Sequence, residues 1–246
     1  MRHSPSYGWI PDRPDHRDFL YGAIAPKVKL PTRIDLRNRC SPVENQGRLG
    51  SCTANALVGH IEFLEILNGD KYQDMSRLFI YYNERADEGT VKVDSGAMLR
   101  DGIKVLAKYG VCPESRWPYA IAQFTRKPAA ACYKQALKHR ISSYHRLLAL
   151  YEMLNCLAEG FPFVFGFTVY ESFKSLKVAR TGVAPMPKKS EMALGGHAVM
   201  AVGYEQKSRR LIVRHSWGTS WGQACYFTMP YAYVEVLASD FWTIRQ

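Results

Sequence analysis

One cysteine of this 246-residue chain lies where its thiol could act as a nucleophile. Cys52 follows Gly47 and Gly50, whose backbone freedom suits a tight turn, and precedes residues 53–67, whose apolar side chains recur near helical spacing. The unpaired N–H groups at a helix N-terminus stabilise an anion, so the pattern predicts a thiol with a lowered pKa. The alternative is that Cys52 is a small buried apolar residue, which is the usual environment of cysteine.

A histidine far downstream could complete such a site. His197 lies in an apolar segment with strand character and directly follows Gly195 and Gly196. A single histidine in such a segment is more often a core residue, but the two glycines remove side-chain bulk and let a substrate backbone approach. A thiolate beside an imidazolium can cleave amides, because the thiolate attacks the carbonyl carbon and the imidazolium protonates the leaving nitrogen.

Three segments resemble, in order, the motifs of papain-like cysteine peptidases. They are residues 46–52, residues 195–204 and residues 215–222. The separation of the cysteine from the histidine is also similar to that of the family. The resemblance runs from about residue 34 to the C-terminus. It implies an α+β, papain-like two-lobe fold, in which a helical lobe and an antiparallel β-barrel-like lobe enclose an active-site cleft.

The resemblance also implies roles for individual residues. The Gln46 side-chain amide, together with the Cys52 backbone N–H, would form the oxyanion hole. Gly96 would hydrogen-bond an extended peptide substrate, although the family's paired glycines are here a serine and a glycine. Trp217 would shield the catalytic histidine from water, and Trp221 would line the leaving-group side of the cleft. For both tryptophans the alternative is core packing, and for Gly96 it is a helix start capped by the preceding serine.

The third motif departs from the family at one position. His215 stands where papain-like enzymes usually have the asparagine that orients the catalytic imidazole. A neutral His215 could accept a hydrogen bond from His197, whereas a protonated one would repel an imidazolium. We therefore expect activity that rises as His215 loses its proton, or an enzyme weaker than the asparagine form. Cys52 and the two histidines could also bind zinc, but no CxxC or HExxH spacing supports this, and we expect no metal and no cofactor.

The surrounding sequence predicts helices first and strands later. Residues 34–138 are expected to form the helical lobe and residues 139–246 the β lobe. The predicted helices span residues 53–67, 75–85, 96–109 and 147–159. The predicted strands span residues 161–170, 197–204, 210–216, 224–229 and 240–244.

Residues 1–33 form an N-terminal extension ahead of this domain. Its prolines prevent a continuous helix, yet aromatic residues such as Trp9 and Phe19 would be costly to leave in water. The segment should therefore pack on the main domain. It is either a structural strap or, more specifically, a short pro-segment near the cleft.

Composition excludes few classes of protein. The formal charge is +11, but the basic residues are scattered and no nucleic-acid motif is present, so we expect solvated faces and no nucleic-acid partner. The N-terminus lacks an apolar core long enough for a signal peptide, and no apolar run could span a membrane, which predicts a soluble chain and leaves secretion open. We also expect a monomer. Of six cysteines, Cys156 is expected to be a buried thiol. With Cys52 set aside as the candidate nucleophile, four cysteines could form disulfides in any combination: Cys40, Cys112, Cys132 and Cys225.

The predicted activity is hydrolysis of protein or peptide substrates through an acyl-enzyme intermediate on Cys52. Two rival functions use the same fold. One is a binding protein in which His215 marks weakened catalysis, although a pure binder would not need the cysteine, the histidine and Gln46 together. The other is an amidase, or an acyl transferase whose acceptor is an amine instead of water.

Overall fold

Seven α-helices and seven strands make up the fold in a computed structural model, which describes residues 7–26 and 28–246. The helices are α1 Cys52–Leu67, α2 Arg77–Asp87, α3 Leu99–Lys108, α4 Ala130–Ala136, α5 Leu150–Ala158, α6 Leu176–Thr181 and α7 Tyr231–Leu237. The strands are β1 Arg33–Asp35, β2 Ser143–Leu147, β3 Phe163–Tyr170, β4 Ala193–Glu205, β5 Arg210–Arg214, β6 Tyr226–Pro230 and β7 Ala238–Arg245. The predicted α+β fold is confirmed.

Helix α1 is the centre of the helical region. Every residue from its start to Glu65 is buried, because the helix packs against α2, α3 and strand β4 on different sides. Two of its polar side chains are satisfied inside the core. Thr53 Oγ1 donates to Glu84 at 2.6 Å, and Glu62 accepts from Arg77 at 2.9 Å. These contacts fix the helix whose first residue is the candidate nucleophile.

The strands form one antiparallel sheet in the order β2-β7-β3-β4-β5-β6, with β1 added to β4. The two central strands β3 and β4 pair so that Phe167 lies opposite His197. The sheet is not closed, so the expected barrel-like lobe is instead an open, bent sheet. Bulges between Val169 and Tyr170, and between Ala201 and Gly203, interrupt its register and allow the bending.

Several predicted boundaries were wrong. Helix α3 begins at Leu99, not at residue 96, because Gly96 has a φ of 73°, which is not helical. The backbone of Ala97 is hydrogen-bonded to Gly8 and Ile10 instead. Ser95 is therefore not the cap; its hydroxyl donates to Thr90 at 2.9 Å. Helix α5 begins later than expected because Leu147 ends strand β2. Helices α4, α6 and α7 were not predicted.

All six cysteines are free thiols, and Cys156 is buried as expected. No helix in the described part of the chain is both long and apolar enough to cross a membrane.

Candidate active site

The Cys52 side chain is fully buried at the first position of α1. Backbone N–H groups of Ala198, Gly8 and Thr53 lie against its sulfur and lower the thiol pKa, but burial is the larger effect and raises it to about 12. The predicted lowering of the pKa is therefore wrong for this closed form, because removal from water outweighs the helix N-terminus. The thiol is neutral here.

His197 comes to the same place from strand β4, since the residue after it, Ala198, contributes an N–H to the Cys52 sulfur. The imidazole is fully buried, and burial lowers its pKa to about 3. Among the described residues, neither of its ring nitrogens has a hydrogen-bond partner. The structure thus buries both predicted side chains and places the backbone next to His197 against the Cys52 sulfur, with both groups uncharged.

His215 holds His197 by ring stacking. The two ring centroids are 4.6 Å apart and the planes differ by 25°. His215 Nδ1 accepts the Ser216 backbone N–H at 2.8 Å, which places the proton of the neutral ring on Nε2. The expected hydrogen bond accepted from His197 is absent. Burial, and His197 itself, lower the pKa of His215, so repulsion between two charged rings does not arise in this form.

Asn55 is a residue of the site that sequence reasoning missed. It lies one turn after Cys52 on α1, and its Nδ2 donates to Ser51 O at 2.9 Å. Its Oδ1 has no partner among the described residues. Asn55 and His215 line the same cavity of about 10 Å³. An asparagine one turn after the candidate nucleophile, on the same helix, was the available signal.

The Gln46 side chain is fully buried and held at both ends of its amide. Nε2 donates to Leu49 O at 2.9 Å, and Oε1 accepts from Ser216 Oγ at 2.6 Å. The Gln46 backbone N–H also donates to Ser216 O at 2.9 Å. Ser216, which sequence reasoning did not single out, therefore links the predicted oxyanion-hole residue to the segment that carries His215.

The two predicted tryptophans flank the histidines. Trp217 lies 4.0 Å from His215 and 5.1 Å from His197, measured between ring centroids. Trp221 lies 4.6 Å from His215 and packs edge-on against Trp217. This placement suits the shielding role expected of Trp217, which contacts both histidines. Trp221 contacts His215 and lies farther from His197.

Residues 7–20, here called the strap, run through the cleft. On the helical side, the Ile10 N–H donates to Ala97 O at 3.0 Å and the Ala97 N–H donates to Gly8 O at 2.8 Å. On the sheet side, the Trp9 N–H donates to Gly196 O at 3.0 Å. The strap thus pairs with both walls and covers Cys52.

Glycines let the strap approach this closely. A Cβ on Gly8 would overlap the Gly50 carbonyl, and one on Gly96 would overlap the Gly8 carbonyl. The N–H of Gly96 itself donates to Tyr81 Oη at 3.2 Å, so the neighbouring Ala97 makes the backbone pairing that was expected of Gly96.

A buried polar cluster anchors the strap beyond the cleft. Asp240 Oδ2 accepts the Asp12 N–H at 2.7 Å and the Trp9 indole N–H at 3.2 Å. The Asp12 carboxylate accepts from Trp242 Nε1 at 2.8 Å and from the Arg100 N–H at 3.1 Å. Burial and the nearby Asp240 carboxylate raise the pKa of Asp12 to about 6.

Ion pairs continue this anchor. Asp18 of the strap pairs with Arg100 at 2.6 Å and with Arg146 at 2.9 Å, and Arg146 also pairs with Asp240 at 3.1 Å. The Asp18 and Arg100 side chains are only 8% and 6% exposed, so loss of either partner would leave a buried unpaired charge, at a cost of about 3–5 kcal/mol.

Within residues 7–26 and 28–246, no group of three or more histidine, cysteine, aspartate or glutamate side chains is arranged to hold a metal ion. The site is instead built from a thiol at the start of a helix, an imidazole on the facing strand and an oriented amide. Such a site in a cleft between helices and a sheet defines the class of thiol hydrolases.

Comparison with known proteins agrees with this class. The model of the papain family of cysteine proteases matches residues 30–237, and the chain belongs to that family. A peptidase C1-like protein of Acanthamoeba polyphaga mimivirus is 41% identical to it, over 99% of this chain and 88% of that relative. A viral cathepsin of Spodoptera litura multicapsid nucleopolyhedrovirus is 27% identical over 82% of this chain, which spans only 58% of that relative.

Among solved structures, xylellain, a cysteine protease from Xylella fastidiosa, is similar over the whole chain. Its TM-score is 0.91 and its sequence identity 43%, with 100% of this chain and 98% of xylellain covered. The chain is accordingly a papain-like cysteine peptidase, an enzyme whose family acts on proteins or peptides.

Proposed function

We propose that Cys52 and His197 are the catalytic pair of this peptidase. The observation that carries the proposal is that the N–H of Ala198, the residue after His197, lies against the Cys52 sulfur, and that both side chains are fully buried. In the open cleft, water and the helix N-terminus would favour transfer of the thiol proton to the imidazole. The thiolate then attacks the substrate carbonyl carbon, and His197 gives its proton to the leaving nitrogen.

Water completes the reaction by the reverse roles. His197 takes a proton from water, the hydroxide adds to the thioester carbonyl, and Cys52 leaves as the thiolate. The negative oxygen formed in both steps needs donors that are already oriented. Gln46 suits this role because Ser216 and Leu49 hold its amide in place.

The two ends of the substrate would occupy different halves of the cleft. The acyl part extends along the wall at Gly96 and Ala97, where the strap now lies. The leaving part extends past Trp221, on the side of the histidines. His197 packs against both Trp217 and the stacked ring of His215, which also contact each other.

We further propose that the strap is a pro-segment that keeps the enzyme latent. It runs from Tyr7, beside His197, to Ile10, beside Ala97, and so opposes the direction expected for a substrate. The Gly8 N–H points at the Cys52 sulfur, and the Gly8 carbonyl oxygen accepts from Ala97. This carbonyl is therefore turned away from the oxyanion donors, which explains how the strap can lie on the nucleophile without being cleaved.

The peptidase activity is expected of a monomer that has no nucleic-acid partner. Acyl transfer to an amine would use the same residues, so the products distinguish it from hydrolysis. Digestion of a peptide with and without added amine, followed by mass spectrometry, reads this out directly. We expect free carboxylate products in both cases.

Replacement of the nucleophile tests the catalytic assignment. In a full-length Gly8→Ala chain, in which the strap is dislodged, Cys52→Ala should reduce kcat/KM for a casein-derived peptide by about ten-thousandfold or more. Cys40→Ala is the matched control, because this half-buried thiol lies outside the site. Activity that survives Cys52→Ala would refute the assignment.

A further inference from the structure

A cavity of about 990 Å³ opens beside the histidines. Trp217 and Trp221 form part of its lining, and Arg48 and Arg180 are its charged residues. None of its lining residues belongs to the described part of the strap or to the segment around Gly96. No described residue of the strap therefore lines this cavity, whereas the strap covers the other half of the cleft.

Its position suits the leaving segment of a substrate. His197 protonates the leaving nitrogen, and the Trp217 ring that lines the cavity lies 5.1 Å from the His197 ring. The chain that follows the cleaved bond must begin near His197 and continue outward along Trp217. This step rests on the catalytic roles proposed above.

The two arginines come from different elements of the fold. Arg48 extends from the loop that also carries Gln46, and Arg180 from helix α6. Both are exposed. Among the described residues, no carboxylate forms a salt bridge with either. Glu44, the acidic residue nearest to Arg48 in the sequence, faces Arg77 at 3.8 Å, and Arg180 Nε makes one long contact of 3.4 Å to Leu176 O.

We propose that this cavity binds a carboxylate on the leaving segment of the substrate, through Arg48 and Arg180. A guanidinium is always charged, and its planar fork matches the two oxygens of a carboxylate. The tryptophan rings would cover the apolar stem of the same residue. The carboxylate is either an acidic side chain or the free C-terminus of a short substrate, and both present the same chemistry to the arginines.

Short peptides that mimic the leaving segment test this directly, because they need no catalysis. Three are titrated by calorimetry into the full wild-type chain at low ionic strength. The first is a tetrapeptide amide with glutamate at its second position, the second has glutamine there, and the third has glutamine and a free C-terminal carboxylate. We expect one or both carboxylate peptides to bind about tenfold more tightly than the neutral one, and added salt to reduce this difference.

Charge-removing variants assign the effect to residues. Arg48→Gln and Arg180→Gln should each weaken carboxylate binding by about threefold and leave the neutral peptide unaffected. Lys177→Gln is the matched control, because Lys177 is exposed on the same helix but does not line the cavity. Comparison of the first and third arms, each against the neutral second, shows whether a side chain or the chain end is recognised.

Equal binding of charged and neutral peptides would overturn the proposal, as would a preference that persists without both arginines. A cleavage assay separates this outcome from failure of the catalytic assignment. In it, the Gly8→Ala chain is given substrates whose leaving segments carry the same charged or neutral residues as the peptides. Cleavage of all substrates without selective binding would refute only the carboxylate site. Selective binding without any cleavage would support the carboxylate site and count against the catalytic roles on which its placement depends.

Discussion

The two halves of the cleft differ in cover and in charge. The half at Gly96 is filled by the strap, whose Asp12 and Asp18 are satisfied by groups of the main domain. The half at Trp221 is open, and within the described residues its arginines lack acidic partners. Polar groups of the first half are thus matched to a segment of the same chain, whereas the arginines of the second half form no salt bridge with a described residue. The first half therefore carries our proposal for latency, and the second our proposal for substrate recognition.

Gln46 is the proposed oxyanion donor and lies where the two halves meet. Its loss should therefore lower the rate of the reaction itself and not the binding of either part of the substrate. In the Gly8→Ala chain, Gln46→Ala is expected to reduce kcat by about a hundredfold to a thousandfold, the usual effect of losing one oxyanion donor. Steady-state kinetics with a single peptide measures the change. Gln73→Ala, at an exposed position between α1 and α2, controls for the substitution. A higher KM with an unchanged kcat would show that Gln46 binds substrate only.

A change of pH should affect the two halves differently. The covered half contains Asp12, a carboxyl group with a raised pKa, whereas no carboxyl group lines the cavity of the other half. The pKa of Asp12 is raised from 3.8 to about 6 in the docked strap. The docked state therefore holds its proton more tightly than the released one, so docking is strongest at low pH and weakens between about pH 4 and pH 6. Protection of Cys52 from alkylation should fall by up to about a hundredfold over this range.

The Asp12→Asn chain is the comparison for that titration, and it should lose most of the pH dependence. Binding of carboxylate peptides in the open half should not follow the Asp12 titration, because guanidinium groups do not lose their protons. Protection that instead increases with pH would mean that the Asp12 and Asp240 cluster does not control the strap.

The smallest expected effect concerns the ring behind His197. His215→Asn should leave kcat unchanged or raise it by up to about tenfold, because an asparagine oxygen can accept a hydrogen bond from His197 that the stacked imidazole does not. His145→Asn, on strand β2, is the control. A large loss of kcat in His215→Asn would show that the imidazole has a specific role in the reaction.

Local patterns were sufficient to predict the framework of the site. The helix that begins at Cys52 and the strand that carries His197 follow from glycines and apolar spacing within a few residues of each. Helix α7 could not be predicted in this way, because its tyrosines and valines read as a strand and only tertiary packing makes them helical.

The state of the site depended on contacts between distant parts of the chain. Trp9 meets Asp240, 231 residues away, and no local pattern indicates that pairing. The raised pKa of Cys52 has the same origin, because burial of the thiol in the closed cleft outweighs the local helix effect. The stacking of His215 on His197 likewise required the packing of two strands.

The most direct test of latency is the rate at which an epoxide reagent for active-site thiols labels Cys52 in the full-length chain. Intact mass and peptide mapping would compare the wild type with two variants. In Gly8→Ala the added methyl group overlaps the Gly50 carbonyl, whereas Gly22→Ala lies outside the cleft. Overpacking of about 1–3 kcal/mol should make Gly8→Ala react about five- to a hundredfold faster, at Cys52 alone, with Gly22→Ala like the wild type. Equal rates in all three chains would contradict the proposal that the strap closes a competent active site.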